Sequence, residues 1–182
     1  MMSKTALIPI ANGTESLEVV TLINVLRRGG VRVTVASIET ELNVLGTLDV
    51  PLKADVLFKD VASQEFDLIA LPGGQVGAEN FSAHKPLIEK LHAQRMAHKW
   101  YGAICATPAL ALSPHGLLDG KQATCYPPLR DKLIHYVDQP VVVDGHCITS
   151  QGPATSMAFG IKLVELLCGA DKSKQVAQGL LA

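Results

Sequence analysis

Apolar runs of strand length punctuate the chain at Ala6–Ile10, Val31–Ala36, Leu68–Leu71, Gly102–Ile104 and Val141–Val143, each bounded by turn residues. Most are followed by a helical pattern, and continuous apolar runs of this kind belong to strands covered on both faces. The alternation predicts a mostly parallel sheet with helices on both sides. A helix over about Glu15–Arg28, stopped by Gly29-Gly30, joins the first two strands into a right-handed βαβ unit. Further helices are expected at about Pro86–His98, opened by a first-turn proline, at about Ala154–Leu167 ahead of Gly169, and from about Lys172 onward. Thr40–Leu52 breaks the rhythm, because Gly46-Thr47 between short apolar pairs predicts a small hairpin. No repeat, low-complexity tract or linker divides the 182 residues, so one domain over 1–182 is expected.

Composition narrows the partners. A formal net charge of -1, with no block of Lys or Arg, lacks the electrostatic footprint of nucleic-acid or anionic-membrane binding. A small molecule or another protein is the expected partner. The first apolar stretch is too short for a signal peptide or a membrane span, which predicts a cytoplasmic protein. Cys105, Cys125, Cys147 and Cys168 lie far apart with no C-x-x-C pair, and read as reduced thiols. The six histidines lack metal spacing, His92 and His98 being off a common helical face, so no metal is expected.

The sharpest chemical signal is Trp100-Tyr101-Gly102-Ala103-Ile104-Cys105-Ala106-Thr107-Pro108-Ala109-Leu110: a buried strand, one pivot residue, then a helix with an early proline. Cys105 is the pivot. Such a residue points into the crevice beyond the carboxyl ends of the strands, and helix amides beneath it favour the thiolate, lowering the thiol pKa. The competing reading is a buried cysteine acting as a small hydrophobe, which suits Cys125, Cys147 and Cys168. A second strand, Leu68–Leu71, ends in Pro72-Gly73-Gly74, a turn whose glycines let backbone N–H groups approach a ligand as an oxyanion site requires.

In the first helix Glu18 shares a side with Leu22 and Val25, which directs it inward. Burial would raise its pKa and suit it to proton transfer beside a thiol; the bland alternative is a half-exposed acid at the helix edge. Glu15, one turn earlier, either shares this environment or complements the positive end of the helix.

Taken together, Gly13-Thr14-Glu15-Ser16-Leu17-Glu18, Arg27-Arg28-Gly29-Gly30-Val31, Leu71-Pro72-Gly73-Gly74, Ala103-Ile104-Cys105-Ala106-Thr107-Pro108 and Thr149-Ser150-Gln151-Gly152-Pro153 resemble the ThiJ/PfpI superfamily, in the branch of the Parkinsonism-associated deglycase. The resemblance covers essentially the whole chain. It implies a flavodoxin-like three-layer sandwich and a homodimer, with Cys105 the nucleophile, Glu18 its protonated partner, and Gly73, Gly74 and the Ala106 amide lining the oxyanion site. It implies glutathione-independent removal of methylglyoxal or early glycation adducts, or oxidative-stress sensing through cysteine sulfinate, with no cofactor. Two positions depart from the pattern. Tyr126 stands where some relatives place a histidine, leaving the proton transfers to Glu18, and Leu48 stands where relatives often have an anion-collecting arginine. Arg28 matches the family, as an orienting or dimer-contact residue or simply a solvated helix-end arginine. His115 has no evident partner and reads as a surface or helix-end residue.

Three functions compete on this reading. A Cys105-dependent glyoxalase or deglycase leads. A redox-sensing chaperone, whose Cys105 oxidises to sulfinate, is the alternative. A protease or amidotransferase fits less well, because the histidine base is replaced.

Overall fold

The computed structural model describes residues 3–182. Its chain runs through β1 (Thr5–Ile10), α1 (Ser16–Arg28), β2 (Arg32–Ser37), β3 (Asn43–Leu45), β4 (Pro51–Lys53), β5 (Val56–Leu57) and the single turn α2 (Phe58–Val61). It continues through β6 (Leu68–Leu71), α3 (Gln75–Ala83), α4 (Lys85–Met96), β7 (Trp100–Ile104), β8 (Val141–Asp144), β9 (Cys147–Ser150), α5 (Ser156–Cys168) and α6 (Ala170–Leu180). Seven strands make one sheet in the order β5-β2-β1-β6-β7-β9-β8, parallel throughout except for the antiparallel pair β8–β9.

Successive side chains of a strand point to opposite faces, and here both faces are dry. Ala6, Ile8 and Ile10 of β1 join Val19, Leu22, Val25 and Leu26 of α1 and Phe159, Leu163 and Val164 of α5 in one core cluster. Leu7, between them in sequence, joins Phe81 of α3 and Leu87 and Leu91 of α4 in the other. The three layers expected from the hydrophobic pattern therefore follow from central strands with apolar residues at consecutive positions.

Several elements differ from the sequence expectations. Val141–Val143 forms the antiparallel edge, whereas the strand that pairs with β7 is β9, whose Thr149 and Ser150 are fully buried. These hydroxyls carry no apolar signal, yet they are satisfied: Thr149 Oγ1 accepts from the Thr124 N–H at 2.9 Å and Ser150 Oγ donates to the Pro140 carbonyl at 2.7 Å. The helix α3, which the glycine-rich turn did not foretell, begins directly after Gly74. The predicted hairpin is present, with Asn43 opposite Lys53 and Leu45 opposite Pro51. It lies across the start of α1, where Gly13 N–H donates to the Leu45 carbonyl at 2.8 Å and Thr47 N–H to the Thr14 carbonyl at 2.9 Å.

Candidate active site

Strand β7 lies between β6 and β9, with Leu71 beside Ala103 and Ile104 beside Ser150. The chain leaves β7 through Cys105, whose φ of 64° lies in the left-handed region. A non-glycine residue stays there only when its surroundings over-determine it. Here the main chain is tied on both sides: Cys105 N–H donates to the Ser150 carbonyl at 3.0 Å, and the Cys105 carbonyl accepts from Tyr126 N–H at 2.7 Å. The pivot is thus a strained elbow. The segment after it is not the regular helix the sequence suggested: Pro108–Leu112 is π-helical, Ser113–His115 is a 3-10 turn, and Gly116 at φ 68° ends it. Pro114 has no N–H to give to a helical ladder, and its ring disrupts the preceding turn.

Opposite the elbow, Gly73 fits because it has no side chain. A Cβ there would lie 2.5 Å from the Cys105 Cβ and 2.8 Å from Glu18 Oε2. Gly74, at φ 86°, opens α3 and presses against the start of α1, where a Cβ would fall 2.2 Å from the Gly13 carbonyl oxygen. The amides of Gly74 and Ala106 act on the Cys105 sulfur. The Gly73 amide does not join them: it donates to Glu18 Oε2 at 2.6 Å, so of the three expected oxyanion donors two remain directed at the sulfur.

Glu18 projects inward as its spacing predicts and is fully buried. Its Oε1 accepts from no donor among the described residues, and besides Gly73 the Cys105 thiol is the neighbouring polar group that acts on the carboxyl. Burial pushes the Glu18 carboxyl up to about 7, against the Gly73 amide, with the Glu15 charge adding to the rise. Burial also pushes the Cys105 thiol up to about 12, reinforced by the Glu18 charge and opposed by the Gly74 and Ala106 amides. The expectation of a thiol lowered by helix amides is therefore corrected. Two amides, one at the start of α3 and one just after the elbow, do not outweigh desolvation and a neighbouring carboxylate. Burial raises Cys125 as well, to about 11, and Cys147 to about 12, as befits thiols packed in the core.

Glu15 caps α1, its Oε1 accepting from Leu17 N–H at 3.1 Å and its Oε2 from the Thr47 hydroxyl at 2.9 Å. It works at the helix end and not beside Glu18 in the core. Arg28 lies at the far end of α1, exposed, donating to Asn24 Oδ1 at 2.7 Å; it is not part of the cysteine site. Tyr126 touches the elbow through its backbone N–H, while its half-exposed ring makes no hydrogen bond among the described residues. Leu48, at the hairpin tip with φ 54°, is 95% exposed and does not line the cysteine site of its own chain. His115 Nε2 meets Ser82, 3.1 Å from its hydroxyl and 2.9 Å from its carbonyl, which gives it the structural partner that the sequence did not reveal.

One residue escaped the sequence reading. Thr107 is fully buried two positions beyond the elbow, and its hydroxyl donates to the Pro72 carbonyl at 2.6 Å. Its signal was a small hydroxyl in an otherwise apolar strand-to-helix passage, which spacing alone does not connect to the glycine turn.

The model of the DJ-1/PfpI family matches residues 4–166. Protein DJ-1 homolog A of Arabidopsis thaliana is 45% identical over 183 residues, covering 98% of this chain and 47% of its own length. The chain thus spans about half the length of that plant relative. The Caenorhabditis elegans protein named glutathione-independent glyoxalase DJR-1.2 is 35% identical over 182 residues, covering 97% of this chain and 96% of its own. Among solved structures, oxidized Toxoplasma gondii DJ-1 superimposes with a TM-score of 0.97 at 36% identity, covering 98% of each chain. With the same architecture, and with sequence matched along nearly its whole length, this chain belongs to the DJ-1/PfpI family.

Proposed function

We propose that the chain is a cysteine-dependent, glutathione-independent glyoxalase or deglycase acting on methylglyoxal or early glycation adducts. The observation that carries this reading is the meeting of a strained, half-buried Cys105 and a fully buried Glu18 across Gly73. Near neutral pH the pair passes from two protons to one. When an aldehyde enters, the Cys105 sulfur attacks C1, the thiol proton passes to the Glu18 carboxylate, and the amides of Gly74 and Ala106 receive the oxyanion. Glu18 returns that proton to the alkoxide, which gives the hemithioacetal and restores the carboxylate.

Glu18 next takes the proton from C1 and returns it at C2, while the C1 hydroxyl proton passes to the C2 oxygen. This oxidises C1 and reduces C2 within the same molecule, leaving a 2-hydroxyacyl thioester on sulfur. Water attacks the thioester carbon, the C–S bond breaks, and Cys105 recovers its proton as the hydroxy acid leaves. An early glycation adduct, a hemiaminal or hemithioacetal, first expels the protein amine or thiol to regenerate the aldehyde, which then meets the same attack. The name of the Caenorhabditis elegans relative supports aldehyde chemistry of this kind.

The exposed apolar side chains Leu17 and Val20 on α1, with Leu45, Leu48 and Val50 on the hairpin beside it, support a homodimer formed through that face. A cytoplasmic location accords with this chemistry, and no helix among the described residues is long and apolar enough to cross a membrane.

A second reading rests on the unpartnered Glu18 Oε1: protonated, it could donate to a sulfinate oxygen on Cys105 and so favour a redox-sensing chaperone. Incubating the protein with methylglyoxal, without glutathione, and following 2-hydroxypropanoate by proton NMR tests the leading reading. Product from wild type and none above background from Cys105→Ser is the expected result. Equal product from both overturns it. Peroxide treatment followed by mass spectrometry that finds sulfinate at Cys105, in a protein that forms no hydroxy acid, would favour the second.

A further inference from the structure

A peptide unit carries its C=O and N–H on opposite edges of one plane. The Pro72–Gly73 unit is gripped at both edges inside the core. On one edge its carbonyl accepts the Thr107 hydroxyl at 2.6 Å. On the other its N–H donates to Glu18 Oε2, also at 2.6 Å. Thr107, Pro72, Gly73 and Glu18 are all buried, Thr107 and Glu18 completely. The rest of the turn is held as well, since the Gly73 carbonyl accepts from Glu15 N–H at 2.9 Å.

We propose that Thr107 is a positioning residue for the Cys105–Glu18 pair, acting on the glutamate through the Pro72–Gly73 peptide. The inference rests on the proton-shuttling reading of Glu18, and its test does not depend on turnover.

Two physical effects act in the same direction. Hydrogen bonds in a chain polarise one another, so a hydroxyl donating to the carbonyl makes the N–H of the same unit a stronger donor to the carboxylate. The hydroxyl also fixes the rotation of the peptide plane, which keeps the N–H aimed at Oε2 and not at the sulfur. Both effects favour the ionised carboxyl against the desolvation that opposes it. Thr107 sits on the elbow segment, two residues after Cys105, so the segment that positions the thiol also sets the basicity of the group that takes its proton. A threonine whose role was only to satisfy a buried carbonyl would leave the proton affinity of Glu18 unchanged.

The experiment follows the Glu18 carboxyl directly, by carbon-13 NMR of protein labelled at the glutamate side-chain carboxyl, with the resonance assigned by its loss in Glu18→Gln. Thr107→Val keeps the shape and removes the hydroxyl. Its Glu18 midpoint should rise above that of wild type by about half a pH unit, the scale set by losing part of one charge-assisted hydrogen bond. Thr107→Ser should return the midpoint to the wild-type value.

A companion measurement is the pH profile of Cys105 alkylation by iodoacetamide, resolved by mass spectrometry. Thr107→Val should move that profile upward in the wild-type background and leave it in place in Glu18→Gln. An unmoved midpoint in Thr107→Val overturns the proposal. So does a serine variant displaced as far as the valine one, or an equal alkylation shift in the Glu18→Gln background. If the midpoint moves as stated while wild type forms no hydroxy acid, the enzymatic reading fails and the positioning role stands.

Discussion

Glu18 and Cys105 both press on Gly73: a methyl group in place of its hydrogen would meet the cysteine Cβ at 2.5 Å and the glutamate Oε2 at 2.8 Å. The two side chains come from different layers of the chain's order, one from α1 and one from the end of β7, and the glycine turn after β6 allows them to meet. The chemistry proposed for the protein depends on that contact.

Gly73→Ala should therefore behave as a wedge. Real Cβ atoms do not approach others to 2.5 Å, so the elbow or the α1 glutamate must move. A displacement of about 1 Å in a reacting pair costs on the order of 100-fold in rate. We expect a loss of that size in methylglyoxal turnover, at a stability cost of about 1–3 kcal/mol from overpacking. A folded variant with wild-type rate would remove the contact from the mechanism.

The buried carboxyl also makes stability depend on pH. Its folded-state value is raised, from 4.5 to about 7, so its stabilising contribution is complete below about 4.5 and is lost as pH climbs through about 7. At about 1.4 kcal/mol per pH unit between the two values, the loss reaches about 3 kcal/mol. Gln at this position keeps an acceptor for the Gly73 N–H and never ionises. Glu18→Gln should thus gain stability relative to wild type between pH 5 and pH 8, measured by urea unfolding. A difference that stays flat across this range would mean that Glu18 is not held out of water.

Tyr126 offers a contrast. It meets the elbow through its main chain, and its ring is 45% exposed without a hydrogen bond among the described residues. Tyr126→Phe should leave turnover within about twofold of wild type, since no hydrogen-bond partner is lost in the change. A drop of a hundredfold would assign the hydroxyl a direct part in catalysis.

The proposed dimer face places Leu17 and Val20 where a carboxylate would be buried without a partner. Val20→Glu should shift the mass measured by light scattering from two chains to one, because an unpaired buried charge costs several kcal/mol. An unchanged mass would put the interface, if the protein forms one, elsewhere.

The parallel sheet was legible because β1, β6 and β7 are apolar at consecutive positions, and Glu18 because it falls on the Leu22–Val25 side of its helix. Cys105 was legible as the residue between a buried strand and a proline-bearing turn. What escaped depended on contacts between distant segments. Strand β9 hid behind Thr149 and Ser150, whose hydroxyls are satisfied by partners remote in sequence. The thiol's upward displacement reflects how deeply the elbow is packed, and the helix-start pattern pointed the opposite way. The assignment of the Gly73 amide to Glu18, and of the Pro72 carbonyl to Thr107, is a matter of peptide orientation that no spacing records.

The central claim is that Cys105 and Glu18 titrate as one unit, and the pH dependence of Cys105 alkylation in wild type and Glu18→Gln tests it most directly. In wild type the rate should rise in a step near pH 7, as the pair loses its first proton, and hold above it before the thiol's own step at higher pH. In Glu18→Gln the step near pH 7 should vanish, and the thiol, freed of the neighbouring charge, should titrate below 12. Superimposable curves from the two proteins, or a single wild-type step at the ordinary thiol value of about 8.5, would contradict the account.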